Sequence, residues 1–283
     1  MHYRLFIFLT TLLLGCSPSI SVKNITPHIL YPPLQAYDSF GIIEIYDDRP
    51  TLPEENLIGI LTSKNKGIGK DCSYKVLRQL AMEEAKQAGG NCLIITESRF
   101  PVNPLDCHKI EGLIYRIPNP GKYEKEFNWH PQRRLTISDF KGSHPEGAST
   151  SFGHLSIAYT QKVNVWNGRI TLKVHSVFHS ALSYFSPPEF EQEYLAIEQL
   201  SFDLYELSAR KMVKDISQNK MTYNEFMEYN QKLESEFLKE FLSKREEMYA
   251  ELSEDINLLP KWESWVSQEL ASLSAYTEKI IQF

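Results

Sequence analysis

EYLAIEQLSFDLYELSARK, residues 193–211, decides what the second half of this chain is. Tyr194, Ile197, Ser201, Leu204 and Ser208 recur every three or four residues, continuing a stripe that starts at Phe190. That spacing sets them on one face of a helix. Ser186, Pro187 and Glu189 upstream have the form of a capping box with proline at the first helical position. The helix is therefore expected over about 187–217. A second, about 222–252, opens at Thr222 with Glu225 three residues on. A third, 261–281, follows Pro260, with Trp262, Val266, Leu270, Leu273, Tyr276 and Ile280 as its stripe. No repeat of 20 to 50 residues is present, which excludes a simple solenoid.

Upstream, 129–184 leans to β structure. In RITLKVHSVF, Ile170, Leu172, Val174 and Phe178 fall on one face of a strand. PNPGKYEKEFN, residues 118–128, reads as a linker. Before it, 39–117 reads as a small domain. FGIIEIY and NLIGIL are strand-like, and SYKVLRQLAMEEAKQAGG is a helix stopped by Gly89. NCLIIT and KIEGLIYRI are two further strands. The expected class is α+β: a small ββαββ domain, then a β-region packed on a bundle of three long helices in 129–283.

With 283 residues, 42% hydrophobic and 12% aromatic, the chain can bury more than one core. Its net charge of -6 and lack of any basic run argue against nucleic acid as a partner. Arg4 and the short apolar run LFIFLTTLLLG read as a signal peptide over residues 1–15, too short for a stable membrane span. The run ends in LLGC, which resembles the bacterial lipobox. That resemblance implies that Cys16 is lipidated and that 16–38, with Pro18, Pro27, Pro32 and Pro33, tethers the protein to a membrane. An ordinary secretory signal is the alternative. Ser17, with no acidic run after it, follows the enteric pattern for a lipoprotein of the outer membrane facing the periplasm. Cys72, Cys92 and Cys107 remain, enough for one disulfide and one thiol in an oxidising envelope.

A zinc-hydrolase helix needs histidines at i and i+4, a glutamate at i+1 as general base, and a third ligand further on. Here those positions hold Ile197, Ser201, Glu198 and, about a turn on, Glu206. EQLSFDLYELSARKM resembles the H-E-Q-x-H-F-D-x-x-E-L-x-A-R-K signature of a bacterial secreted family of unknown function regarded as zinc-dependent proteases. WHPQRRLTISDFKG, residues 129–142, is similar to that family's opening W-x-x-x-R-x-L-T-W-x-D-F-x-G. ASTSFG, residues 148–153, agrees with its A-x-T-x-S-G step at Ala148, Thr150 and Gly153. The resemblance spans about 127–282.

The departures fall on the chemistry. Both histidine positions are lost, and the family's Y-D-x-E-T-x-H stands here as YAELSED, with Ala250, Leu252 and Asp255 in place of its Asp, Glu and His. The resemblance thus implies a pseudoenzyme-like domain in which Glu198 is vestigial, Glu198 and Glu206 are motif remnants, and no catalytic residue, metal or cofactor is expected. An amphipathic helix without any such ancestry is the plain alternative. Asp203 and Glu206, with Glu198, are expected on a solvated acidic face. His175 and His179 lie on one strand face, roughly 13 Å apart and too far to share an ion; His130, His144 and His154 show no convergence. Residues 40–117 also resemble, weakly, the core of the Rcs envelope-stress sensor lipoprotein. That likeness implies a Cys72–Cys107 disulfide, and Cys92 reads as a buried thiol.

The leading expectation is a lipid-anchored envelope protein with a silent metalloprotease-like domain that binds, scaffolds or senses an envelope protein partner. The enzyme alternative is a metal-dependent hydrolase or peptidase of the envelope. It would hold zinc with relocated ligands, from Glu198, Glu206, Asp255 and histidines of the β-region. A third reading docks a partner on an exposed apolar stripe of the helices in 222–282.

Overall fold

The computed structural model describes residues 19–25, 31–64, 73–102, 107–147, 150–163, 168–186 and 189–283. The signal peptide, Cys16, Cys72, Ala148 and Pro187 lie outside them. The fold is α+β, and the chain divides into two compact units, Met1–Glu124 and Lys125–Phe283.

The first unit contains β1 (Ser19–Asn24), β2 (Gly41–Ile43), β3 (Leu57–Lys64), α1 (Tyr74–Gln87), β4 (Cys92–Arg99) and β5 (Lys109–Tyr115). They form one sheet in the order β1-β3-β5-β4-β2, antiparallel except where β2 runs parallel to β4. Leu77, Ala81 and Ala85 of α1 pack against Leu61, Leu93, Ile95, Ile110 and Ile114 on one face. Ile43, Cys92, Ile94 and Tyr115 form a smaller core on the other. Gly89, at φ 81°, ends the helix where a Cβ would meet the Tyr31 Cβ at 2.4 Å, so only glycine fits there.

Two expectations are corrected here. The tether read over 16–38 contains β1, which pairs residue for residue with β3. The strand read over 40–46 stops at Ile43, because Asp47 turns back and takes the Glu44 N–H at 2.7 Å.

The second unit contains β6 (Glu126–Asn128), β7 (Ser151–Phe152), β8 (Leu155–Val163), β9 (Ile170–His179) and β10 (Tyr184–Phe185). They are followed by α2 (Glu191–Gln218), α3 (Tyr223–Glu254), α4 (Leu259–Ser272) and β11 (Ile280–Gln282). β9 is the organising strand. β8 runs along one side of it, while β6 and β11 share the other. β7 and β10 make a separate two-stranded ribbon. Leu172, Val174 and Phe178 of β9 face the helices, as their alternation predicts.

α2 is buried on every side from Glu198 to Arg210. Phe202 meets Phe127 and Phe178, and Tyr205 sets its ring edge-on to Phe237 and Phe241 of α3. The apolar stripes of α3 (Phe226, Phe237, Phe241, Met248, Leu252) and α4 (Trp262, Val266) are buried too. They pack into this unit's own core, while Met227, Tyr229 and Leu238 of α3 are exposed.

The helix ends differ from expectation in two places. The Thr222–Glu225 capping box forms as read. The box at Ser186 does not: α2 starts at Glu191, and the Ser186 N–H donates to Thr150 O at 2.8 Å, extending the β7–β10 ribbon. A serine before proline is biased away from helical backbone, which favours that outcome. The last helix ends at Ser272 rather than 281, so the bundle holds two long helices and one short one. The chain then turns through Lys279 (φ 48°), and β11 buries Ile281, not the expected Ile280, beside β9. The linker read over 118–128 likewise includes β6.

Candidate functional site

The acidic residues of α2 are not solvated. Glu198, Asp203 and Glu206 are all buried, and each is held by partners from outside the helix. Glu198 accepts from the Ser151 hydroxyl at 2.7 Å and the Gly153 N–H at 2.9 Å. A Cβ on Gly153 would stand 3.0 Å from Glu198 Oε2, so glycine permits this approach. Burial raises the Glu198 carboxyl above its ordinary range; the two donors and nearby Arg245 pull the other way.

Asp203 accepts from Trp129 Nε1 at 2.7 Å, Gln199 Nε2 at 2.8 Å and Arg134 at 3.2 Å. Burial still raises its carboxyl above the usual value. Glu206, fully buried, receives Arg210 Nε and Lys279 Nζ at 2.9 Å each and the Ser176 hydroxyl at 2.8 Å. Two cations therefore surround this one carboxylate in the interior.

The 129–142 stretch supplies several of these partners. Besides Trp129 and Arg134, Leu135 N–H donates to Gln199 Oε1 at 2.7 Å. Arg133 stacks 3.6 Å over the Phe127 ring and pairs with Asp139 at 3.2 Å. Gly142 N–H reaches Ser183 O at 2.7 Å, in a place where a Cβ would meet that oxygen at 2.9 Å. The 129–142 stretch is thus a strap fastened to α2 and to the turn after β9.

At the two substituted positions, Ile197 packs against the main hydrophobic core, and Ser201 is buried and hydrogen-bonded to Tyr249 of α3. Burial, with the Glu198 charge adding to it, holds the Tyr249 phenol well above its ordinary range. Arg245 lies 5.1 Å from the Phe241 ring and 5.8 Å from that of Tyr249. Asp255 is exposed and caps the turn that follows α3, accepting from Asn257 N–H at 3.0 Å. Glu198, Glu206 and Asp255 therefore serve three separate sets of partners. Among the described residues, no three His, Cys, Asp or Glu side chains gather as a metal site.

The β-region histidines separate in the same way. His175 and His179 share a strand face, and each takes its own hydroxyl, Thr160 and Ser156 respectively. His154 lies edge-on to His179, with ring centroids 5.3 Å apart, and His144 meets Tyr184. His130 Nδ1 accepts from Gln132 N–H within its own turn. In the first unit Cys92 is a free, buried thiol whose pKa burial pushes up to about 12. Cys107 is disulfide-bonded. Cys72, the partner expected from the resemblance, lies outside the described residues.

Sequence reading singled out Glu198 and Glu206 but missed what holds them. Ser151, Gly153, Ser176 and Lys279 are 30 to 73 residues from the acids they bind, and no local pattern links them. No family model matches the chain, and neither curated proteins nor solved structures give a match.

Proposed function

We propose that this protein is a lipid-anchored lipoprotein of the cell envelope, most simply of the outer membrane. Its C-terminal unit is a degenerate relative of the zinc-protease-like family and acts as a binding, scaffolding or sensing module for an envelope partner. One observation carries the reading: the two acids that a zinc site would need are consumed by the fold, Glu198 by Ser151 and Gly153, and Glu206 by Arg210, Lys279 and Ser176. A base or ligand must face an open coordination position. Freeing Glu206 would leave two buried cations unpaired. Ile197 and Ser201 fill the histidine positions with core packing and a hydroxyl pair to Tyr249.

The test is zinc content of the purified chain after incubation with zinc and gel filtration. Well under one zinc per chain is expected, with no peptidase activity that a chelator removes. One tightly held zinc together with chelator-sensitive proteolysis would sink the reading and restore the relocated-ligand hydrolase. The anchor is tested separately: palmitate labelling of expressing cells should mark the wild type and vanish in Cys16→Ala. Label retained by that variant overturns the lipoprotein assignment.

A further inference from the structure

The sheet of the C-terminal unit has a second face, turned away from α2, and it carries a different constellation. Residues paired across antiparallel strands point to the same side. Since Phe178 faces the helices, Val177 and His179 face outward, together with their partners Ser156 and Glu126. Ser156 Oγ lies 2.6 Å from His179 Nε2, and His179 Nδ1 lies 3.4 Å from Glu126 Oε2. The order is hydroxyl, imidazole, carboxylate, drawn from three adjacent strands. It remains open to solvent, with the His179 and Glu126 side chains 23% and 44% exposed.

The backbone beside Ser156 adds a donor. His179 N–H donates to His154 O at 2.9 Å, which makes those two a hydrogen-bonded pair. In an antiparallel ladder such pairs alternate, so Ser156 and Val177 form the next one. The N–H groups of Leu155 and Ile157 then point away from β9, along an edge that no strand covers among the described residues. The N–H of the residue after a nucleophilic serine is a recurrent source of oxyanion stabilisation.

We propose that Ser156, His179 and Glu126 form a serine acyl-transfer site for small carboxylic esters. A shallow site in which the His179 and Glu126 side chains stay part-exposed suits short acyl groups. Glu126 holds the tautomer with hydrogen on Nδ1, leaving Nε2 to take the Ser156 proton as Oγ bonds to the ester carbonyl. The Ile157 N–H receives the developing oxyanion. Collapse breaks the ester C–O bond, and the alcohol leaves with the proton from His179 Nε2. Water then attacks the acyl-serine, giving its proton to Nε2, and the carboxylic acid departs as Ser156 recovers its hydrogen. Ser156 and His179 are the catalytic residues; Glu126 is a positioning residue.

A built-in comparison lies four residues along each strand. Thr160 pairs with His175 in the same way, but the charged groups that act on His175 are Lys173 and Lys279, which oppose its protonation. Hydroxyl–imidazole pairing alone would make the two places equivalent.

The full chain is treated with a fluorophosphonate probe, mapped by mass spectrometry, and assayed on p-nitrophenyl acetate. Label is expected on Ser156 and not on Thr160. Ser156→Ala should abolish both label and hydrolysis, and His179→Gln should lower the rate by ~10²-fold or more. Glu126→Gln should lower it by roughly 10-fold and shift the rate's dependence on pH, which a merely structural role would not do. Thr160→Ala should leave both unchanged. Circular dichroism melts confirm that each variant is folded. A folded Ser156→Ala that hydrolyses the ester at the wild-type rate, or label spread equally over Ser156 and Thr160, overturns the proposal. Zinc content has no bearing on these readouts, so the two functional readings fail independently.

Discussion

Glu206→Ala is expected to lower the stability of the C-terminal unit by about 3–5 kcal/mol, the range for breaking a buried ionic group by deleting one partner. Glu206 is fully buried between Arg210 and Lys279, both also buried. Its removal strands two cations where water cannot reach them. Lys279 is already held below its ordinary pKa by burial, with Glu206 the main opposing influence. Urea unfolding of the wild type and variant at neutral pH measures the difference. Replacing the whole set, as Glu206→Leu with Arg210→Met and Lys279→Met, should recover much of the loss, because an apolar cluster of similar volume has no charge to desolvate. A single-variant loss under 1 kcal/mol would mean that the cluster is hydrated.

The second large effect depends on pH. Burial, reinforced by Lys173 and Lys279, depresses His175 from 6.5 to about 4. A histidine kept neutral in the fold but free to take a proton when unfolded favours unfolding as acid is added. Its contribution is whole above pH 6.5 and is lost as the pH falls toward 4, with a ceiling of roughly 3 kcal/mol. His175→Gln does not titrate there. Unfolding midpoints for the two proteins between pH 7 and 4 should diverge, the wild type falling more steeply. Parallel curves would show that His175 takes up a proton as readily in the folded protein as in the unfolded chain. His154, depressed by burial and by His179, adds a smaller slope common to both.

What could be read from the sequence was whatever neighbouring residues settle among themselves. The Thr222–Glu225 box caps α3 with both partners within one turn. The alternation of Leu172, Val174 and Phe178 correctly gives the buried face of β9. Failures came where a distant strand outbid a local signal. Ser186 looked like a cap and instead pairs with Thr150. Ile280 fitted a helical stripe, but β9 draws the segment into a sheet and buries Ile281. The polar run SISVKN gave no reason to expect β1 until β3 was there to pair with it. Glu198 and Glu206 stood out as residues, yet their burial could not be foreseen, since Gly153 and Lys279 are remote from them in sequence. The Ser156–His179–Glu126 set is invisible for the same reason: only the register of three strands assembles it.

The placement of β9 has a consequence for how the polypeptide matures. One of its flanks is shared by Glu126–Asn128 and Ile280–Gln282, segments separated by almost the whole unit. A ribosome that has released β9 has still to make the lysine that will neutralise Glu206. Loops this long close slowly, because their entropy is lost before any contact rewards it. Wherever folding takes place, the unit is complete only once residues 280–282 have joined β9.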